Sequence, residues 1–498
     1  MYLLGYDIGS SSIKVSLLDA MTGNVVASAS SPEDEMDIFA LRPGWAEQNP
    51  AIWWENAVLA TRRIKNEHRD ELDNVKAIGI TYQMHGLVVV DADLNVLRPA
   101  IIWCDSRAVS IGERAEKELG IYECRRHFLN SPGNFTASKL KWVMENEPGL
   151  YGRIYKAMLP GEYIAMKMTG EVCTTVSGLS EGIMWDFIAG DTAHRLLEYY
   201  EFCPDLLPRV VPVFSPQGEL TGKAADDLGL KPGIMIAYRA GDQLNNAFSL
   251  KVLKPGEIAA TAGTSGVVYG IAAEPVSDPE SRVNTFAHVN HSKSNPSYGV
   301  LVCINGTGIL YRWLSGMFAA PDLYGLEYED MNGIACNVPV GSDGLIMLPY
   351  GNGAERTLGN RDLGASVHGL QFNIHGRAHI FRAAQEGIVF ALKYGLDIMH
   401  DMSVGGLRVR APNTNMFLSP IFSKTFTQVT GMSLELYNTD GSQGAARGAG
   451  IGIGIYTGVE DAFVGLHAQR VILPDEKSRT KYLEAYAKWL SVLNREIK

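Results

Sequence analysis

At 498 residues the chain is too long for a single hydrophobic core, so two or three domains are expected. Apolar residues make up 46% and charged residues 20%, which excludes a disordered chain, and a net charge of -11 argues against a general nucleic-acid binder, which needs a basic face. An acidic protein can still hold a polyphosphate, because a local nest of backbone N–H groups binds phosphate whatever the net charge.

Three short apolar runs open the chain, at 2–8, 13–19 and 24–30. Their connectors are Ser-rich and then Thr22-Gly23-Asn24, the signature of an antiparallel meander. Asn49-Pro50 supplies an N-cap followed by proline at the first helical position, so a helix is expected over about 50–69. Strands follow at Val75–Thr81 and Leu87–Asp91, a helix at 108–119 and a strand around 234–237. A second series repeats the order. Strands are expected at Ile258–Ala262, Val267–Ala273 and Tyr298–Ile304, and helices at 307–319, 378–400, 442–456 and 475–496. Strands alternating with helices point to an α/β layered fold. The division falls near 244–257, giving an N-terminal domain over 1–246 and a C-terminal domain over 247–498. The halves share element order rather than sequence.

The six cysteines (104, 124, 173, 203, 303 and 336) are scattered without a Cys-x-x-Cys pair, so free thiols in a reducing compartment are expected. The start, Met1-Tyr2-Leu3-Leu4-Gly5, lacks a basic region and a long apolar stretch, and no apolar segment approaches bilayer length. A cytoplasmic protein is the expectation.

One design appears twice. Gly9-Ser10-Ser11-Ser12 and Gly263-Thr264-Ser265-Gly266 each join two apolar runs through a tight Gly-hydroxyl turn. Such turns offer N–H groups and hydroxyls to an anion, so two related domains facing a polyphosphate across a cleft are expected. Asp7, at the end of the first strand, is placed either to hold Mg²⁺ or its waters beside a phosphate or to cap the turn. Asp242, in Ala240-Gly241-Asp242-Gln243 at another strand end, is placed as a base toward a hydroxyl that attacks the γ-phosphate; the alternative is a helix N-cap.

Gln83-Met84-His85-Gly86 follows a buried strand, where polar residues commonly face a ligand, and Gly86 lets a small molecule approach the backbone. In Trp103-Cys104-Asp105-Ser106-Arg107, Asp105 and Arg107 either pair with each other or hold sugar hydroxyls. His288-Val289-Asn290-His291 lacks the glutamate and helical spacing of a zinc-protease motif and is read as structural. Gly441–Gly450 is expected to open a helix of small residues that approaches a flat ligand such as adenine, or another helix. Gly405-Gly406 is read as ending a strand and passing beneath the same nucleotide.

Together these motifs resemble the FGGY carbohydrate kinases, of the actin-like (ribonuclease H-like) ATPase superfamily. The resemblance runs over nearly the whole chain and includes Pro43-Gly44-Trp45-Ala46-Glu47-Gln48-Asn49-Pro50 with Trp53-Trp54. Within the family, Gln83-Met84-His85-Gly86 and the Trp103-to-Arg107 segment are most similar to the xylulose-phosphorylating members. One departure is Leu407-Arg408-Val409-Arg410, which stands where the family has small residues after a glycine pair.

The resemblance implies two actin-like ATPase domains with a cleft between them, the first binding sugar and the second nucleotide. It implies ATP-dependent phosphorylation of a ketopentose, D-xylulose foremost, with ATP and Mg²⁺ as cofactors and a homodimer as an allowed assembly. The catalytic base is Asp242, and the sugar contacts are Gln83, Met84, His85, Gly86, Trp103, Asp105 and Asp242. ATP is held by Gly9, Ser10, Ser11, Ser12, Gly263, Thr264, Ser265, Gly405, Gly406, Gly444 and Ala445, and the metal by Asp7 and Asp242. The rivals are kinases of ribulose, gluconate or glycerol and, in another class, a non-catalytic actin-like nucleotide-binding protein.

Overall fold

The opening apolar runs pair as the meander their connectors demand. In the computed structural model, which describes residues 1–319 and 325–498, β1 (Tyr2–Ile8), β2 (Ile13–Asp19) and β3 (Val25–Ser31) are antiparallel neighbours. Two later strands, β4 (Val75–Tyr82) and β5 (Met235–Gly241), join on the other side of β1, with β4 parallel to β1 and β5 parallel to β4. The order is β5-β4-β1-β2-β3.

Side chains alternate across this sheet. Leu4, Tyr6 and Ile8 share one buried cluster with Trp53, Ala57 and Ile64 of the helix Pro50–Glu67. Asn49 caps that helix, its side chain accepting from the Ala51 N–H at 3.1 Å. The intervening Gly5 faces the other way, onto the helix Gly441–Gly452. A Cβ on Gly5 would lie 1.8 Å from the Ser442 carbonyl oxygen, and one on Gly79 would lie 1.9 Å from that of Ala445. Glycine in the strands and small residues in the helix thus let two backbones touch.

The second sheet is built on the same plan. The strands β6 (Ile258–Ala262) and β7 (Gly266–Ala272) form an antiparallel hairpin. It is flanked by β8 (Tyr298–Ile304) on one side and by β9 (Arg408–Pro412), β10 (Ser433–Tyr437) and β11 (Ala468–Ile472) on the other, in the order β8-β7-β6-β9-β10-β11, with the short strand Asn284–Ala287 at the edge beyond β8. The strands β6, β9 and β10 are parallel in register. The long helix Arg377–Asp401 covers this sheet, with Leu392 beside Gly266 and Met399 beside Gly270.

The chain divides into two compact units. The first comprises Met1–Lys251, Phe286–Tyr298 and Thr439–Leu466, and the second Val252–Thr285, Gly299–Asn438 and His467–Lys498. Where the sequence suggests one division at 246/247, the structure returns two later stretches to the first unit. The expected helices appear as Val109–Leu119, Gly308–Met317, Arg377–Asp401, Gly441–Gly452 and Glu476–Glu496. The helix expected to reach 456 stops at Gly452, before Gly454 at φ 74. All six cysteines are free. Among the described residues no helix is long and apolar enough to cross a membrane.

Candidate active site

Three parallel strands of the first unit end level with one another. Ile8 of β1 pairs with Tyr82 of β4, and Tyr82 with Gly241 of β5. Gly9, Gln83 and Asp242 therefore leave the sheet at the same edge, although they come from three distant parts of the sequence. The Gln83 N–H donates to the Ile8 carbonyl at 2.9 Å, and the Gly9 N–H closes its turn onto the Ser12 carbonyl at 3.1 Å.

Asp242 opens the helix Asp242–Ser249. Its carboxylate accepts from the Gln243 backbone N–H at 2.8 Å and from Gln243 Nε2 at 3.1 Å. Burial nevertheless outweighs these bonds and pushes its carboxyl up to about 6. Asp7 faces the start of the 441–452 helix, where a Cβ on Gly441 would lie 2.4 Å from its Oδ2. Burial first, then the charges of Asp242 and Asp440, push Asp7 up to about 7 against the pull of Lys14. Asp440 caps that helix by accepting from the Gln443 N–H at 3.0 Å, and takes Lys14 Nζ at 2.7 Å. Burial opposes ionisation of Asp440, but Lys14 and these bonds hold its carboxyl below the usual range.

The tetrapeptide after β4 lies beside Asp242. Met84 is buried, with its Cγ 2.6 Å from where a Cβ on Gly241 would stand. His85 sits at φ 60, its Nδ1–H donating to the Glu181 carbonyl at 2.9 Å. Its ring meets Phe135 edge-on at 4.8 Å and Phe286 at 5.3 Å. Gly86 is wedged against Pro160, whose Cγ lies 2.7 Å from the position of a Cβ there. Trp103 reaches the first turn, its Nε1–H donating to Ser10 Oγ at 3.3 Å.

Asp105 is engaged otherwise. It is fully buried and accepts from the Ala46 N–H at 2.6 Å and from Arg107 Nη2 at 2.7 Å. Arg107 is in turn stacked on Trp45 at 3.8 Å. Of the two readings of this pair, the structure shows mutual pairing. The His288–His291 segment is a local turn, with the His288 N–H donating to the Ser297 carbonyl at 3.0 Å.

In the second unit the 263–266 turn is braced by the start of the helix Gly308–Met317: the Gly308 N–H donates to the Gly263 carbonyl at 2.9 Å and the Ile309 N–H to that of Thr264 at 3.1 Å. Asn415, at φ 53, brings its Nδ2 to 3.6 Å from where a Cβ on Gly263 would stand. Sequence reasoning passes over Asn415. Its signal is its place just after a strand parallel to β6.

Two segments expected at the nucleotide are engaged in packing within the protein. Gly405-Gly406 does not end a strand; it precedes β9, and Gly406 packs on the Gly256 carbonyl ahead of β6. With β6 and β9 parallel, the glycine pair stands at the opposite end of the sheet from the 263–266 turn, about 17 Å along the strands. Gly444 and Ala445 belong to the first unit, where Gly444 abuts Ser249 and the Ala445 carbonyl abuts Gly79. The small-residue helix therefore packs both on the sheet and on another helix, Asp242–Ser249, whose Asn245 Nδ2 donates to the Gly441 carbonyl at 2.8 Å.

The model of the N-terminal domain of the FGGY family of carbohydrate kinases matches residues 2–249, and that of the C-terminal domain matches 258–434. The xylulose kinase of Staphylococcus epidermidis (strain ATCC 12228 / FDA PCI 1200) is 30% identical over 81% of this chain and 80% of its own length. This chain belongs to the FGGY family. The xylulose kinase of Escherichia coli (strain K12) is 29% identical over 98% of this chain and 96% of its own. The crystal structure of xylulose kinase from Rhodospirillum rubrum superposes with a TM-score of 0.86 at 25% identity, covering 99% of both chains. The fold is thus the two-domain FGGY kinase fold, and the protein is a carbohydrate kinase, with ATP implied by the family.

Proposed function

We propose that this FGGY kinase transfers the γ-phosphoryl group of ATP to the terminal hydroxyl of D-xylulose, giving the 5-phosphate. The observation that carries the reading is the shared strand edge, which sets Asp242 beside Met84 and His85 and level with the 9–12 turn. Both relatives named above are xylulose kinases.

In this reading Asp242 accepts the proton of the attacking hydroxyl, Met84 and His85 orient the sugar, and Trp103 closes on it from the 9–12 turn. That turn and the 263–266 turn hold phosphate oxygens through backbone N–H groups and hydroxyls fixed before the reaction, so little reorganisation accompanies transfer. The first unit is the sugar-binding half and the second the nucleotide-binding half, and the setting is cytoplasmic.

The acidic pair fits Mg²⁺. Asp7 and Asp242 are both pushed up by burial, and Asp242 adds repulsion at Asp7, a cost that a divalent cation removes. No group of three or more His, Cys, Asp or Glu capable of holding a metal occurs among the described residues. Mg²⁺ commonly takes one or two carboxylates and completes its shell with phosphate oxygens and water. When bound it neutralises charge on the phosphates.

A coupled ADP-release assay over D-xylulose, ribulose, gluconate and glycerol tests this reading. D-Xylulose is expected to give the highest kcat/KM. Faster turnover of another acceptor would replace the sugar, and no sugar-stimulated release with any of them would overturn the kinase reading.

A further inference from the structure

Glu181 ends the helix Val176–Glu181 and is completely buried. No motif marks it in the sequence. Its backbone carbonyl accepts from His85, and its side chain lies against the strand end that carries Asp242: a Cβ on Gly241 would stand 2.4 Å from Glu181 Oε2 and 2.6 Å from Met84 Cγ. One carboxyl group thus touches the surroundings of all three residues assigned to the sugar and the base.

Neither oxygen of this carboxyl has a hydrogen-bond partner among the described residues. Tyr82 is its polar neighbour but does not meet it in hydrogen-bond geometry. The contrast with nearby Glu162 is instructive, because Glu162 is also buried yet accepts from the Leu159 N–H at 2.8 Å. Arg239, a buried cation on the same strand as Gly241, donates to the Cys173 carbonyl at 2.9 Å instead. A carboxyl buried without a partner is costly unless a ligand supplies one.

We propose that Glu181 is a substrate-binding residue whose carboxyl hydrogen-bonds a hydroxyl of the bound sugar beside Met84 and His85. The inference rests on the reading of this strand edge as the sugar site. It makes the acceptor a polyhydroxylated molecule with one hydroxyl directed at the Glu181 helix end, away from the hydroxyl that Asp242 deprotonates. An acceptor lacking that hydroxyl is discriminated against, because the carboxyl is then left unpaired.

The test compares Glu181→Met, which keeps volume without a hydrogen-bonding group, with Glu181→Gln, which keeps both. Glu181→Met is expected to raise the KM for D-xylulose at least about tenfold with the KM for ATP within about twofold, and Glu181→Gln to recover most of the loss. Should Glu181→Met fail to fold, Glu181→Ala takes its place. Singly deoxygenated xyluloses supply the readout that a purely structural role would not move. For one of them, wild type and the Met or Ala variant should have equal KM, while the others keep the full ratio. An unchanged sugar KM in a folded variant, or the same ratio for every analogue, overturns the assignment while leaving the kinase reading intact. A wild-type chain that phosphorylates no sugar overturns both.

Discussion

The two units place the same strand plan in different chemical company. In each, a hairpin with a Gly-hydroxyl turn is extended by two parallel strands, β1/β2 by β4 and β5, and β6/β7 by β9 and β10. In the first, the penultimate residue of the leading strand is Asp7 and the last parallel strand delivers Asp242. In the second, the penultimate residue is Thr261, the turn carries Thr264 and Ser265, and the neighbouring strand end delivers Asn413 to Asn415. The plan supplies a Gly-hydroxyl turn both times. The residues at the strand ends differ, carboxylates in the first unit against hydroxyls and amides in the second, and the proposed base and cation roles rest on that difference.

Removing the carboxylate that distinguishes the first unit should have the largest effect. Asp242→Ala is expected to lower kcat on the order of a thousandfold or more while the protein stays folded and still binds ATP. Near-normal turnover would erase the distinction. A mirrored pair of variants sharpens it further. His85→Ala should raise the sugar KM about tenfold or more with little change for ATP, and the double change Thr264→Ala with Ser265→Ala should do the reverse, by several-fold. Equal shifts for both substrates in either variant would contradict the division of labour.

Much of the plan is legible in the sequence. The strands β1, β2, β6 and β8 can be read to the residue, because each is an apolar run bounded by glycine or polar residues. Asp242, Met84 and His85 are legible as strand-end residues. What cannot be read is non-local. Nothing near Gly444 says that its helix folds back onto Gly5 and Gly79, or that a pair such as Gly405-Gly406 opens a strand rather than closing one. Asp105 has two open partners in the sequence, and only the burial of Arg107 under Trp45 decides between them. Glu181 carries no local signal, since its place beside Gly241 depends on a helix about sixty residues earlier in the chain.

The smallest expected effect concerns a buried acid of the second unit that lies outside its turn. Glu355 accepts from the Asn305 N–H at 2.8 Å, and burial pushes its carboxyl up to about 8 from an ordinary 4.5. A raised carboxyl favours the folded chain fully below its unfolded value, and that contribution is lost as pH rises through its folded value. The thermal midpoint of the wild type should therefore fall between about pH 4.5 and 8 more than that of Glu355→Gln, with activity unchanged. Parallel curves would show that this carboxyl does not titrate across that window.

The most direct measurement is the product. With ATP, Mg²⁺ and D-xylulose, phosphorus and carbon NMR of the reaction should show one phosphate ester, at the terminal C5 oxygen, formed in step with ADP. ADP appearing with inorganic phosphate and no ester, or an ester at another carbon, would contradict the account.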